Sequence, residues 1–163
     1  ASPTKTFNIP GVILSYLVIP NSELRKEVRD DIDRIGMHNP TVFAVTAAEK
    51  AYTECDDWYE AVIAYINQNE EYTRSYFAKH MPEFHIYPRE GTYLLWMDYS
   101  RLDCTEEELE QWFIEKAHVG VYMGTVFRED GRGYIRVNIA SSRKLLKQAY
   151  EQMASVYGEL KIK

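Results

Sequence analysis

Hydrophobic residues change their spacing several times along this chain, and each change marks an element. Gly11 to Ile19 is an almost unbroken apolar run, rich in β-branched residues and closed by Pro20. Such a run predicts a strand buried on both faces. Asn21 or Ser22 then offers an N-cap, and Leu24, Val28, Ile32 and Ile35 recur at helical spacing up to Gly36. Charged residues from Glu23 to Asp30 fill the other face, so this helix is predicted to be a solvated cover. Asn39-Pro40 predicts a restart with Pro at the first helical position. Val42 to Tyr52 is apolar nearly all round, which predicts a largely buried helix.

Asp57 and Glu60 resemble a capping box ahead of a long helix that Pro82 should end near Met81. Trp58, Val62, Tyr65, Ile66, Tyr72, Tyr76 and Phe77 form its apolar stripe. Beyond it the period shortens. Phe84–Tyr87 and Thr92–Asp98 read as strands, and Thr105 with Glu108 as a capping box for a helix carrying Leu109, Trp112 and Phe113. Val119–Met123 and Tyr134–Ile139 read as strands around the Glu-Asp-Gly-Arg-Gly turn. Ser141 or Ser142 caps a last helix carrying Leu145, Leu146, Ala149, Tyr150, Met153 and Val156. The order from Pro82 onward is β-β-α-β-β-α, a compact α+β unit. The apolar run at 11–19, by contrast, has no obvious partner strand, and its backbone groups cannot stay unsatisfied in a core.

Composition narrows the function classes. The 163 residues are 45% hydrophobic, with 13 Tyr, 6 Phe and 3 Trp spread along the chain, which excludes a disordered chain. No stretch long enough to cross a bilayer lacks charges. The net charge of −6 disfavours a nucleic-acid backbone as partner. Cys55 and Cys104 show no CxxC spacing, which fits a reduced, cytoplasmic chain. His38, His80, His85 and His118 are scattered and form no metal motif. Gly131-Arg132-Gly133 is expected to be a tight hairpin turn, not a phosphate cradle, because it opens no helix.

Two segments carry candidate chemistry. Ser2-Pro3-Thr4-Lys5 matches the S-x-x-K pattern of serine acyl-transfer enzymes, but the companion motifs of those enzymes do not follow. An ordinary loop lysine is the plainer reading of so short a pattern. A third reading is a Schiff-base Lys preceded by a phosphate-binding Ser. The other segment is Tyr134-Ile135-Arg136-Val137-Asn138-Ile139, where alternation puts Arg136 on one face between an aromatic and an amide. A strand Arg is commonly a surface residue, yet its planar fork suits bidentate capture of a carboxylate.

Together, Ser2 to Gly11 (SPTKTFNIPG), Glu90 to Asp98 (EGTYLLWMD) and Gly131 to Asn138 (GRGYIRVN) resemble three segments of the fold-type I pyridoxal-phosphate (PLP) enzymes. Within the class I/II aminotransferase superfamily they are most similar to the MalY/PatB-like cystathionine β-lyases. Many aminotransferases of the superfamily carry an Arg eight residues past the Lys. Ile13 stands there in this chain, as is usual in the lyase branch.

The resemblance implies an α/β chain that is the C-terminal portion of the PLP-dependent transferase fold. Residues 1–56 would end the large cofactor-binding domain, and residues 57–163 would be the connecting helix and the small domain. Lys5 would bind PLP and move the Cα proton, Ser2 would donate to the cofactor phosphate, and Arg136 would hold the α-carboxylate of a small amino-acid substrate. Tyr93 would lie near the substrate or simply pack.

The implied whole enzyme is a cytoplasmic homodimer with no nucleic-acid or membrane partner. It is either a carbon–sulfur β-lyase or an aminotransferase, since Lys5, Ser2 and Arg136 serve both. This chain alone would lack the upstream residues that complete the site and would be inactive, with 11–19 irregular or paired in some other way. From a different class, the chain by itself would be a non-catalytic binding or assembly module with an open strand edge.

Overall fold

The computed structural model describes residues 1–37, 39–160 and 162. The chain divides into two compact units, Ala1–Ile63 and Ala64–Lys163. Helix α4 (Asp56–His80) carries the chain from one to the other.

In the first unit, α1 is a single turn (Pro3–Thr6), followed by α2 (Ser22–Arg34) and α3 (Val42–Glu54). Asn21 caps α2 by accepting from the Leu24 amide at 2.9 Å. No residue of α2 is buried, and Leu24 and Ile35 are more than half exposed. The solvated helix is therefore present, with its apolar stripe uncovered.

One expectation for this unit is met, that 11–19 would run irregularly without partner strands, and two are corrected. Residues 11–20 form no strand, and Ile13, Leu17 and Val18 stand mostly exposed. A strand this apolar needs partner strands on both edges, and among the described residues none pairs with it. Its backbone is held instead by the opposite end of the same segment, Tyr16 and Ala1 exchanging bonds through their backbone groups at 2.7 and 2.8 Å. Pro40 does not open α3. Thr41 is the N-cap and accepts from the Ala44 amide at 3.2 Å, so Pro40 lies before the helix. Nor is α3 buried all round. It buries only Ala44, Ala48 and Ala51, while Val42 and Phe43 are 71% and 81% exposed. Phe7 gathers Tyr52, Trp58 and Tyr59 around it, with ring centroids 5.2 to 6.2 Å away.

The second unit is an α+β layer pair, as the β-β-α-β-β-α pattern predicts. Strands β1 (His85–Ile86), β2 (Leu94–Asp98), β3 (Tyr122–Met123) and β4 (Tyr134–Asn138) form an antiparallel sheet in the order β1-β2-β4-β3. Leu95, Met97, Met123 and Ile135 point to its buried face, the period-two alternation the sequence carries. Helix α5 (Glu106–Gln111) runs into a π-helical turn (Trp112–Ala117), and α6 (Arg143–Val156) closes the unit. Both sides of the Thr105–Glu108 capping box are made, and Ser142 caps α6. Phe84 packs 5.8 Å from Phe77 and 6.3 Å from Phe113, and Phe77 lies 5.2 Å from Tyr150, so one aromatic chain ties α4, the π turn and α6 into a single core.

Two polar constructions hold the sheet to α4. Asn69 is fully buried, and its Nδ2 donates to Ile139 O and Ser141 O at 2.8 and 2.9 Å. Its Oδ1 accepts from Arg143 Nε at 2.8 Å. Thr73 Oγ1 gives its only proton to Asn69 O at 2.7 Å, so Tyr150 must donate to Thr73 across their 2.8 Å contact. Burial pushes the Tyr150 hydroxyl up to about 12, so it keeps that proton. Every polar atom here has a use, as a buried network requires.

The other construction is Glu70, which takes Arg74 on one oxygen at 2.8 Å and Arg89 on the other at 2.6 Å. Arg74 also donates to Ile86 O and Tyr87 O, and Arg89 to Thr92 O, which pins the β1–β2 connection. Burial alone would push the Glu70 carboxyl up. The hydrogen bonds and charges of Arg89 and Arg74 outweigh it and hold the carboxyl below the ordinary range. The unfolded chain therefore takes up this proton first. Stability from Glu70 is fully present above the ordinary glutamate value, about 4.3, and is lost as pH falls below it. Urea midpoints measured from pH 7 down to pH 3 should drop less steeply for Glu70→Gln than for wild type, from a lower starting value. Parallel profiles would show that the cluster contributes nothing.

Candidate active site

Lys5 and Ser2 share α1. Ser2 is its N-cap, accepting from the Thr4 amide at 3.3 Å and donating its own proton to Leu14 O at 2.6 Å. Lys5 is exposed, and its amine has no hydrogen-bond or ion-pair partner among the described residues. This donor set fits a phosphorylated aldehyde. An unengaged primary amine can meet the carbonyl carbon, and the Ser2 hydroxyl can meet the phosphate once its proton turns away from Leu14 O.

Arg136 belongs to the second unit and sits in the middle of β4. Its register partners are Trp96 on β2 and Tyr122 on β3. Directly opposed residues of antiparallel strands share a face, so Arg136 is flanked by an aromatic on each side. The guanidinium lies 5.0 Å from the Tyr122 ring centroid and 4.1 Å from that of Phe127. Arg136 Nε is buried and has no hydrogen-bond partner among the described residues. A buried, unpaired cationic donor costs on the order of 1–3 kcal/mol or more, and native structures rarely leave one without a use. The group is shaped for an anion that approaches its open edge.

Phe127 reaches this position through the β3–β4 connection, which is not the tight turn expected from Gly131-Arg132-Gly133. It consists of two 3₁₀ turns, Gly124–Val126 and Glu129–Gly131, pressed backbone to backbone. A Cβ on Gly124 would lie 2.0 Å from Gly131 O, and one on Gly131 would lie 2.2 Å from Gly124 O, so both positions need glycine. The Phe127 amide donates to Gly124 O at 3.0 Å and ends the first turn with the ring over Arg136. The sequence reading picked out Arg136 but missed Phe127, Tyr122 and Trp96 as its neighbours. The alternation placed Arg136 beside Tyr134 on one strand and was blind to the register across strands. Tyr93, half-buried at the head of β2, accepts from the Ile139 amide through its backbone at 3.0 Å.

Among the described residues no group of three or more His, Cys, Asp or Glu side chains could hold a metal ion, and His38 lies outside those residues. No described helix is long and apolar enough to cross a membrane.

No family model matches the chain. It is 30% identical over 153 residues to the cystathionine β-lyase PatB of Bacillus subtilis, covering 94% of this chain and 40% of that protein. It is 31% identical over 148 residues to the protein MalY of Escherichia coli, covering 90% of this chain and 38% of MalY. Among solved structures it matches cystalysin of Treponema denticola, which contains a pyridoxal 5′-phosphate cofactor, with a TM-score of 0.89 and 28% identity, over 97% of this chain and 40% of that one. Aminotransferases are also among the matched relatives. The chain thus spans about 40% of the length of the curated relatives it matches.

Proposed function

We propose, taking this chain as the C-terminal part of a class I/II pyridoxal-phosphate enzyme, that the whole protein is a carbon–sulfur β-lyase. Its substrates would be cystathionine-like amino acids, and its products a thiol, pyruvate and ammonia. The observation that carries this reading is the similarity to PatB over 153 residues, 94% of this chain. The unpaired Nε of Arg136 supports it independently, because an amino-acid substrate brings the carboxylate that this group lacks.

When bound, pyridoxal phosphate supplies an electron sink for the charge left on Cα after its proton is removed. The work of this chain is to hold and orient. Lys5 would hold the cofactor through its amine and, once released, take the Cα proton as general base. Its exposure and lack of a partner leave it able to do both. Ser2 Oγ would donate to the phosphate. Arg136 would bind the α-carboxylate through its planar edge, which sets which Cα bond is presented for cleavage. With the thiolate gone from Cβ, water completes the conversion to pyruvate and ammonia.

The same three residues would serve an aminotransferase, and the similarity to aminotransferases keeps that alternative in view. In this reading the full-length protein is a cytoplasmic homodimer. The chain alone is inactive, because Lys5 stands in solvent with no enclosing wall of its own unit. Full-length protein given L-cystathionine should release pyruvate and free thiol in equal amounts, with no added 2-oxo acid. Product that forms only when a 2-oxo acid acceptor is present, without thiol, would assign the aminotransferase reaction instead.

A further inference from the structure

We propose that Phe127, supported by Tyr122, is the positioning residue that makes Arg136 a carboxylate-selective site. This rests on the reading of Arg136 as the carboxylate anchor and adds what orients it.

The argument starts from what an arginine in a sheet usually does. A long cationic side chain on a solvent-side strand face extends into water and samples many rotamers. Arg136 does not. Its guanidinium is 4.1 Å from the Phe127 ring centroid and 5.0 Å from that of Tyr122, and its Nε is withdrawn from solvent. Phe127 and Tyr122 also meet each other edge-to-face, with centroids 6.3 Å apart, and Phe127 meets Trp96 in the same manner at 5.8 Å. Trp96 is stacked on Tyr134 at 5.7 Å. The rings form one continuous aromatic patch on this face of the sheet, with the guanidinium inside it.

Stacking on a ring face leaves the edge of the guanidinium as its only route to a hydrogen bond. That edge carries the N–H groups that pair two-to-two with a carboxylate. An aromatic cover also lowers the local dielectric, so a carboxylate arriving there is held more strongly than at an open surface. No carboxylate among the described residues takes Arg136 Nε. Glu70, a carboxylate of the same unit, is committed to Arg74 and Arg89. Phe127 is held there by backbone, through the glycine-to-glycine contact of the two 3₁₀ turns, and its own ring is 42% exposed, so it contributes little to the core.

The test compares two competitive inhibitors of the full-length holoenzyme that differ only in the carboxylate, L-alanine and ethylamine. Phe127→Leu should weaken L-alanine roughly tenfold, the size of a partly desolvated cation–π contact, and leave ethylamine unchanged. Phe127→Tyr should restore the wild-type ratio. Tyr122→Leu should move the ratio in the same direction by a smaller factor. Equal weakening of both inhibitors would mean a general structural role and would overturn the proposal, as would no weakening of either. Arg136→Ala in the same assay separates the two levels. If it too leaves the ratio unchanged, the carboxylate reading itself is wrong. If it collapses the ratio while Phe127→Leu does not, only the positioning role falls.

Discussion

Lys5→Ala in the full-length enzyme is expected to lower turnover by roughly 10²–10⁴-fold, the contribution of a positioned acid–base group, and to remove the covalent hold on the cofactor as well. The structure makes this a clean experiment. The Lys5 side chain is exposed and makes no bond to any described residue, so its removal deletes chemistry and no packing. The urea midpoint of the cofactor-free variant should match that of cofactor-free wild type, and a small added amine should restore part of the holoenzyme rate by supplying the missing base. A near wild-type rate of pyruvate release would end the assignment of Lys5.

Arg136→Ala should raise KM for an amino-acid substrate by roughly 10- to 100-fold, the loss of a charge-assisted bidentate pair worth about 1.5–3 kcal/mol. Its effect on stability should be small, because two consequences oppose each other. The ring contacts with Phe127 and Tyr122 are lost, and so is a buried donor that has no partner. Arg136→Lys should recover little of the affinity, since an ammonium offers no planar edge. KM values for Arg136→Ala and wild type that coincide would make Arg136 an ordinary face residue of β4.

The second unit was legible in the sequence because its signals are local. The Thr105–Glu108 box, the Ser142 cap, the stop at Pro82 and the alternation that buries Leu95, Met97 and Ile135 each act within a few residues. Their readings agree with one another, and elements specified in this way form wherever a core can collect them. The candidate residues Ser2, Lys5 and Arg136 could likewise be named from short segments, because their chemistry belongs to the side chain itself.

What only tertiary structure decided depends on pairs far apart in the chain. The 11–19 run has the composition of a central strand, yet a strand exists only with a partner, and here it runs as irregular chain with Ile13 and Val18 exposed. Helix α3 is apolar on most of its surface, but only the small face of Ala44, Ala48 and Ala51 meets its unit, since burial requires a surface to pack against. Asn69 reads as one more polar residue of α4 until the chain beyond β4 returns to place Ile139 O and Ser141 O beside it. Register has the same character. Alternation says which residues of β4 share a face, but the hydrogen-bond ladder alone sets Trp96 and Tyr122 opposite Arg136, and the packed glycine turns alone bring Phe127 over it. Local sequence carries the torsional and capping preferences of each segment; the partners of a buried or stacked group are chosen by the free energy of the whole fold.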